Sequence, residues 1–165
     1  DDLQAIAAVE QPFPAAEAAT AEEFAGRLAH YAGHFWLLLE QGELVAFVDG
    51  FCTDTPDLTD EMYADAALHD ENGAWQMIFG VNTSALPLPG YAGLLLQRAI
   101  ADARAQGRKG LVLTCKEKLL HYYAKFGFVN EAFPLPPTAG WCGIRCGCGS
   151  ERTVWNARRV RSAHK

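Results

Sequence analysis

The stretch from residue 74 to residue 128 constrains the fold most, because it alternates strand, loop, helix, strand and helix. It opens with an apolar run over residues 75–81 that has strand length and is rich in aromatic and β-branched residues. After a loop with prolines and glycine, residues 91–106 place apolar side chains at helical spacing. Residues 111–113 predict a short buried strand, and residues 119–126 a second amphipathic helix. The stretch therefore predicts an α/β unit whose first helix can present unpaired backbone amides to an anion.

The loop before that first helix carries a short glycine motif. Its residues Gly90, Tyr91 and Ala92, followed by Gly93, match the Gly-x-Gly/Ala part of a longer signature. The stretch thus resembles the GCN5-related N-acetyltransferase (GNAT) family, whose signature is Gln/Arg-x-x-Gly-x-Gly/Ala between the fourth strand and the third helix. Pro87 stands where the signature has Gln or Arg. Because proline has neither an N–H nor a cationic side chain, this departure from the signature puts one phosphate contact that the resemblance implies in question.

A second motif strengthens the resemblance. Residues 115–128 are similar to the family segment that ends in Tyr-Glu-x-x-Gly-Phe, and Cys115 and Tyr123 resemble those of the serotonin N-acetyltransferase-like branch. Either motif alone is weak, but together they lie at the family's spacing. The resemblance covers about residues 3–131 and implies a mixed, mostly antiparallel α/β (α+β) sheet flanked by helices. It also implies a chain truncated at its N-terminus, lacking the first strand, and altered at its C-terminus, with degraded last strands.

The resemblance implies an N-acetyltransferase with acetyl-CoA as co-substrate. An acetyl group would pass directly to a primary amine, on a small molecule or a lysine, in a ternary complex. The alternative is a non-catalytic or degenerate acyl-CoA-binding module, which the proline at position 87 favours. A zinc-dependent interaction protein is a weaker rival, because Cys142, Cys146 and Cys148 lack paired C-x-x-C spacing, and we expect no metal site.

The resemblance also assigns roles to residues. Tyr123 corresponds to the general acid that protonates the departing thiolate, for which a phenol with a pKa of ~10 is suited. A backbone N–H near Phe79 or Val81 can polarise the thioester carbonyl. The expected cofactor-binding residues are Phe79, Gly80, Val81, Leu88, Pro89, Gly90, Tyr91, Ala92 and Gly93.

The general base remains open among four side chains. His69, Asp70 and Glu71 lie together in a polar connection and can act through water, and Asp49 lies near the end of a predicted strand. A histidine titrates in the useful pH range. Sequence alone does not choose among them.

Charge distribution says more about ligands than the net charge of −6. Residues 1–71 hold 16 acidic side chains and one basic one, whereas residues 98–125 hold seven basic and two acidic. This pattern favours a cationic acceptor at the acidic part and a phosphorylated cofactor at the basic part. We expect no nucleic-acid or membrane partner. Five cysteines without a paired spacing favour a cytoplasmic location. A homodimer is compatible with the sequence.

The rest of the chain predicts familiar elements. Residues 3–10 are helical, Thr20 and Glu23 form a capping box for the next helix, and residues 63–68 include a short helix. A hairpin turns at Gln41 and Gly42 between strands over residues 35–39 and 44–51.

The tail differs from everything before it. We therefore expect an acetyltransferase domain over residues 1–132 and a poorly ordered tail over residues 133–165, where neither strand alternation nor helical periodicity is present. Residues 141–148 and residues 85–90 can each be encoded by codons that, when translated in a shifted reading frame, give peptides more similar to the family. A reading-frame error is our hypothesis for both segments.

Overall fold

The computed structural model describes residues 2–10, 18–84, 90–131, 141–147 and 160–163. The helices are α1 (Asp2–Glu10), α2 (Ala21–Tyr31), α3 (Asp60–Ala64), α4 (Tyr91–Ala105) and α5 (Leu120–Ala124). The strands are β1 (Phe35–Glu40), β2 (Glu43–Asp49), β3 (Cys52–Thr53), β4 (Trp75–Ile78), β5 (Gly80–Thr83), β6 (Gly110–Lys116), β7 (Val129–Asn130), β8 (Trp141–Gly147) and β9 (Val160–Ser162). Short 3-10 turns occupy Ala32–His34, Ala66–Leu68 and Glu117–Leu119. No helix in these ranges is long and apolar enough to cross a bilayer.

Helix α2 begins where the capping box predicts it. The Thr20 hydroxyl accepts from the Glu23 amide at 3.2 Å, and the Glu23 carboxylate accepts from the Thr20 amide at 2.7 Å. Each contact satisfies an amide that the helix leaves unpaired. The start of α2 is therefore confirmed.

The strands form two sheets, with the strand orders β5-β2-β1-β9 and β3-β4-β6-β8-β7. Among the described strands, only β4 and β6 pair in parallel, and the other pairings are antiparallel. Helices α1 and α2 cover one face, where Phe24 packs with Phe35 and Phe47. Helix α4 covers the other face, where Leu95 and Leu96 belong to one apolar cluster with buried side chains of the strands. The predicted mixed, mostly antiparallel sheet flanked by helices is confirmed.

The predicted strand over residues 75–81 is two strands rather than one. Asp49 faces two residues of it, since its carbonyl accepts from the Phe79 amide at 2.8 Å and Gly80 is its register partner. Two residues opposite one define a β-bulge, which bends the strand. The chain therefore leaves β6 after Ile78 and continues as β5 beside β2.

Tight backbone packing supports this bend. Gly50, which links β2 to β3, lies so close to β4 that a Cβ there would be 1.8 Å from the Met77 carbonyl oxygen. Only glycine fits such an approach. Glycine at position 50 therefore allows β4 to pass this close to the end of β2.

Two strands lie beyond residue 132, where the sequence shows no strand alternation. Strand β8 pairs antiparallel with β6 along its whole length and with β7, and β9 borders β1 at Trp36 to Leu38. The glycine and cysteine residues of β8 give no alternation of apolar and polar side chains that would predict a strand. Its position in the sheet comes from backbone hydrogen bonds to β6 on one side and β7 on the other. A Cβ at Gly110 would lie 2.2 Å from the Cys146 carbonyl oxygen, so small residues here permit close packing. The division near residue 132 and the reading-frame hypothesis remain predictions.

Candidate active site

A cavity of about 440 Å³ opens where β5 separates from β6. The last paired residues of the parallel ladder are Ile78 and Leu113, and beyond them the two strands no longer hydrogen-bond to each other. The described lining residues are Glu10, Ala19, Phe24, Arg27, Asp49, Tyr63, Ile78, Phe79, Gly80, Val81, Asn82, Leu113, Thr114, Cys115, Lys116, Lys118, Leu119 and Tyr123. The bulge therefore creates the cavity, because it turns one strand away from its neighbour.

Tyr123 forms part of the cavity wall beside β6. Helix α5 carries it, its ring meets Tyr122 and Phe128 edge-on, and it is 7% exposed. Burial raises the pKa of Tyr123 well above its ordinary value, and Cys115 and Tyr122 add to the effect. The phenol is therefore neutral at physiological pH and holds a proton that it can donate.

Asp49 and Arg27 form a buried ion pair in the wall formed by β2 and α2. Arg27 Nη1 donates to Asp49 Oδ2 at 2.8 Å, and the two side chains are 7% and 1% exposed. Burial raises the pKa of Asp49, and Arg27 opposes that rise. Burial lowers the pKa of Arg27, but Asp49, Tyr31 and Glu23 together outweigh burial, so the net shift of the pKa is upward.

Three buried polar atoms around this pair have no hydrogen-bond partner among the described residues. They are Asp49 Oδ1, Arg27 Nε and the Tyr31 hydroxyl. Buried polar groups in folded proteins are almost always hydrogen-bonded to protein, water or ligand. Asp49 Oδ1 is thus an acceptor with capacity left for a group that enters the cavity.

Glu10 lies at the same end, at the last position of α1. Its Oε1 accepts from the Ala19 amide at 3.1 Å, and its Oε2 accepts from Asn82 Nδ2 at 2.6 Å. Burial raises the pKa of Glu10, and nearby Asp49 adds to this rise, whereas the Ala19 hydrogen bond and Arg27 oppose it. Two carboxylates therefore line this end of the cavity.

Tyr63 connects the helix side of the cavity to β6. Its hydroxyl lies 3.0 Å from the Thr114 hydroxyl, and burial raises its pKa to about 12. The ring also packs against Phe79 at 4.9 Å between centroids. Tyr63 is therefore a neutral, fixed wall residue.

The predicted cofactor-binding residues fall into two groups. Phe79, Gly80 and Val81 line the cavity together with Tyr123. The Phe79 amide already donates to Asp49, so of the two predicted carbonyl-polarising amides only that of Val81 stays in the hypothesis.

The second group lies at the start of α4. Gly90 caps the helix with φ of 95°, and Tyr91, Ala92 and Gly93 form its first turn. A Cβ at Gly93 would lie 3.1 Å from the Phe126 ring, so glycine lets α4 approach that ring closely. These residues are not among the described lining of the cavity, and Leu88 and Pro89, like Pro87, lie outside the described residues.

Two of the four candidate bases, His69 and Glu71, belong to a different cluster. His34 Nε2 and His69 Nε2 lie 2.9 and 3.1 Å from Glu71 Oε2. None of His69, Asp70 and Glu71 is among the described residues that line the cavity, whereas Asp49 is. Geometry thus separates candidates that sequence left equal.

Four lining residues carry no sequence signal that would have identified them. Glu10 and Asn82 meet only because α1 packs on β5, and Tyr63 and Thr114 meet only because the segment after β3 folds over β6. Each pair joins residues at least 51 positions apart. Such pairs are products of the tertiary fold.

No protein-family model and no curated protein matches this sequence. Solved structures do match its fold. A GNAT-like decarboxylase, GphF, in complex with isobutyryl-CoA, is 20% identical over 90% of this chain and 95% of its own, with a TM-score of 0.74. The loading GNATL domain of CurA from Lyngbya majuscula is 16% identical over 89% and 93%, with a TM-score of 0.75. A GNAT family acetyltransferase from Brucella melitensis in complex with acetyl-CoA is 17% identical over 98% and 86%, with a TM-score of 0.58. The chain therefore has the GNAT fold.

Proposed function

We propose that this protein is an acetyl-CoA-dependent N-acetyltransferase acting on a primary amine in a ternary complex. The observation that carries the proposal is the cavity at the β5–β6 separation, with a buried neutral phenol and a buried, partly unpaired carboxylate among its lining residues. Similar folds crystallised with acetyl-CoA, CoA and isobutyryl-CoA support an acyl-CoA as the ligand.

The pantetheine arm is proposed to lie along β5, with the thioester near Val81. The start of α4 is proposed to hold the pyrophosphate, because a 15-residue helix presents unpaired amides and the positive end of its dipole there. Lys116 and Lys118 add positive charge to the β6 side of the cavity. This arrangement directs the acetyl group toward the carboxylate end.

Chemistry then needs one base and one acid. The amine nitrogen attacks the thioester carbonyl carbon, and Asp49 accepts the proton that the nitrogen releases. The C–S bond breaks, and the Tyr123 hydroxyl protonates the CoA thiolate. Burial raises the pKa of the carboxyl, which favours its role as base, and it keeps the phenol protonated until the thiolate forms.

Tyr123→Phe tests the acid. We expect kcat to fall by about 100-fold, the usual scale for loss of a general acid, while CoA affinity and melting temperature stay close to wild type. The loss should shrink at high pH, where a thiolate departs without a proton. Tyr122→Phe is the matched control, since Tyr122 touches Tyr123 but is not among the cavity-lining residues.

Two measurements make the test complete: calorimetric titration with CoA, and thiol release from acetyl-CoA with a panel of primary amines. CoA binding without turnover on any amine would favour the non-catalytic module. Equal loss of activity and stability in Tyr123→Phe would assign that residue to packing instead.

Decarboxylation of an acyl-CoA is a second candidate. Arg27 is the observation that favours it, because a guanidinium in the cavity can bind a substrate carboxylate. Asp49 already pairs with that guanidinium at 2.8 Å, which places this reaction second. Conversion of malonyl-CoA to acetyl-CoA without an amine would reverse the order.

A further inference from the structure

Glu10 is a buried carboxyl group that forms no ion pair with any described residue, although Arg27 lies near enough to lower its pKa slightly. The residue is 7% exposed, and within the described ranges no Lys, Arg or His forms an ion pair with it. Its two hydrogen bonds come from neutral donors, the Ala19 amide and the Asn82 side chain. A buried charge is costly unless an opposite charge compensates it. Since Glu10 lines the cavity, a cation bound there can supply that compensation.

The other carboxylate of the cavity, Asp49, differs in this respect. Arg27 neutralises it through Oδ2, and Oδ1 remains without a partner among the described residues. Asp49 is therefore suited to exchange a proton with the acceptor. Glu10 is suited to bind a group of the acceptor that stays positively charged. The same end of the cavity presents two anionic positions with different tasks.

Gly80 lets the side chains of Asp49 and Asn82 pack closely against the β5 backbone. A Cβ at residue 80 would lie 2.8 Å from Asp49 Oδ1 and 2.9 Å from Asn82 Nδ2. Asn82 in turn donates to Glu10. The proposed base and the Asn82 side chain that holds Glu10 therefore lie on the two sides of residue 80, which places the two carboxyl groups close together in the cavity wall.

We propose that the acceptor is a small molecule with two basic nitrogens, one that reacts beside Asp49 and a second, protonated one that binds Glu10. The inference rests on the proposed function and adds the substrate class. A monoamine would leave Glu10 without an ion pair, and an acceptor with a carboxylate at this position would be repelled. The small size follows from the cavity, since its 440 Å³ must also hold the pantetheine arm.

The test compares 1,4-diaminobutane with 1-aminobutane, which has the same chain length and one nitrogen. We expect the wild-type protein, saturated with acetyl-CoA, to show a KM for the diamine at least about tenfold lower, the scale of one charge-assisted hydrogen bond. Glu10→Gln should remove that difference by raising the KM for the diamine alone. Glu43→Gln, which removes an exposed acid outside the cavity, should leave both KM values unchanged.

Equal KM values for the two amines in the wild type would overturn the inference, and so would an unchanged diamine KM in Glu10→Gln. The wild-type comparison does not depend on how well the variant folds. Calorimetric binding of each amine to the CoA-saturated protein separates the two proposals. Diamine preference in binding without turnover would refute the transferase while supporting the diamine site, and turnover of both amines with equal affinity would do the reverse.

Discussion

Breaking the Arg27–Asp49 pair tests whether the cavity wall is built as described. The two side chains meet at 2.8 Å, and Arg27 also donates to the Tyr63 carbonyl at 3.1 Å and lies over the Phe79 ring at 5.2 Å. Arg27→Met removes the guanidinium but keeps a long apolar side chain. Asp49→Asn keeps the shape and removes the negative charge. The double variant removes both charges.

The buried position of both groups sets the magnitude. Removing one partner of a buried pair leaves an uncompensated charge and costs about 3–5 kcal/mol, a large part of a typical total of about 5–15 kcal/mol. For a domain of this size, that loss lowers the melting temperature by roughly 6–20 °C. The double variant holds no uncompensated charge, so its loss should be smaller than the sum of the single losses by at least about 1 kcal/mol.

Urea unfolding of all four proteins, followed by circular dichroism, measures the coupling. Arg98→Met is the control, because Arg98 pairs with Asp102 at 2.8 Å with side chains 33% and 27% exposed. Its loss should stay below about 1 kcal/mol. Additive effects in the Arg27–Asp49 cycle, within about 0.5 kcal/mol, would refute the buried contact.

Two further predictions concern stability. Gly50→Ala would place a Cβ 1.8 Å from the Met77 carbonyl oxygen, so we expect loss of the folded protein or a large drop in melting temperature, whereas Gly33→Ala meets nothing within 4 Å and should fold normally. If both variants melt alike, the close approach at Gly50 is wrong. The pKa of Glu71 is lowered from 4.5: burial opposes the shift, but contacts with His34 and His69 outweigh it. The stabilisation from Glu71 is therefore present above pH 4.5 and is lost as the pH falls through its folded-state pKa, so wild type should lose more stability than Glu71→Gln between about pH 4.5 and pH 3 in urea unfolding. Parallel pH profiles for the two proteins would contradict this.

The local structure of the chain could be predicted from its sequence. Thr20 and Glu23 start α2 as their spacing predicts, the turn at Gln41 and Gly42 joins β1 and β2, and helical spacing places α4. Each of these depends on residues close together in the chain, where hydrogen bonds and backbone preferences act directly. The family motifs allowed the fold class to be predicted for the same reason, because each motif is short and contiguous in the chain.

Position of the site depended on contacts distant in sequence. The bulge at Phe79 arises because Asp49 takes its amide, and the Glu10–Asn82 contact spans 72 positions. Strand β8, rich in small residues, owes its place to backbone partners on both sides, so no side-chain pattern announces it. Asp49 was one of four candidate bases in the sequence, and only the tertiary structure puts it in a cavity with Tyr123. Periodicity reports which face of an element is buried, whereas the meeting of two buried polar groups is decided when separate elements pack.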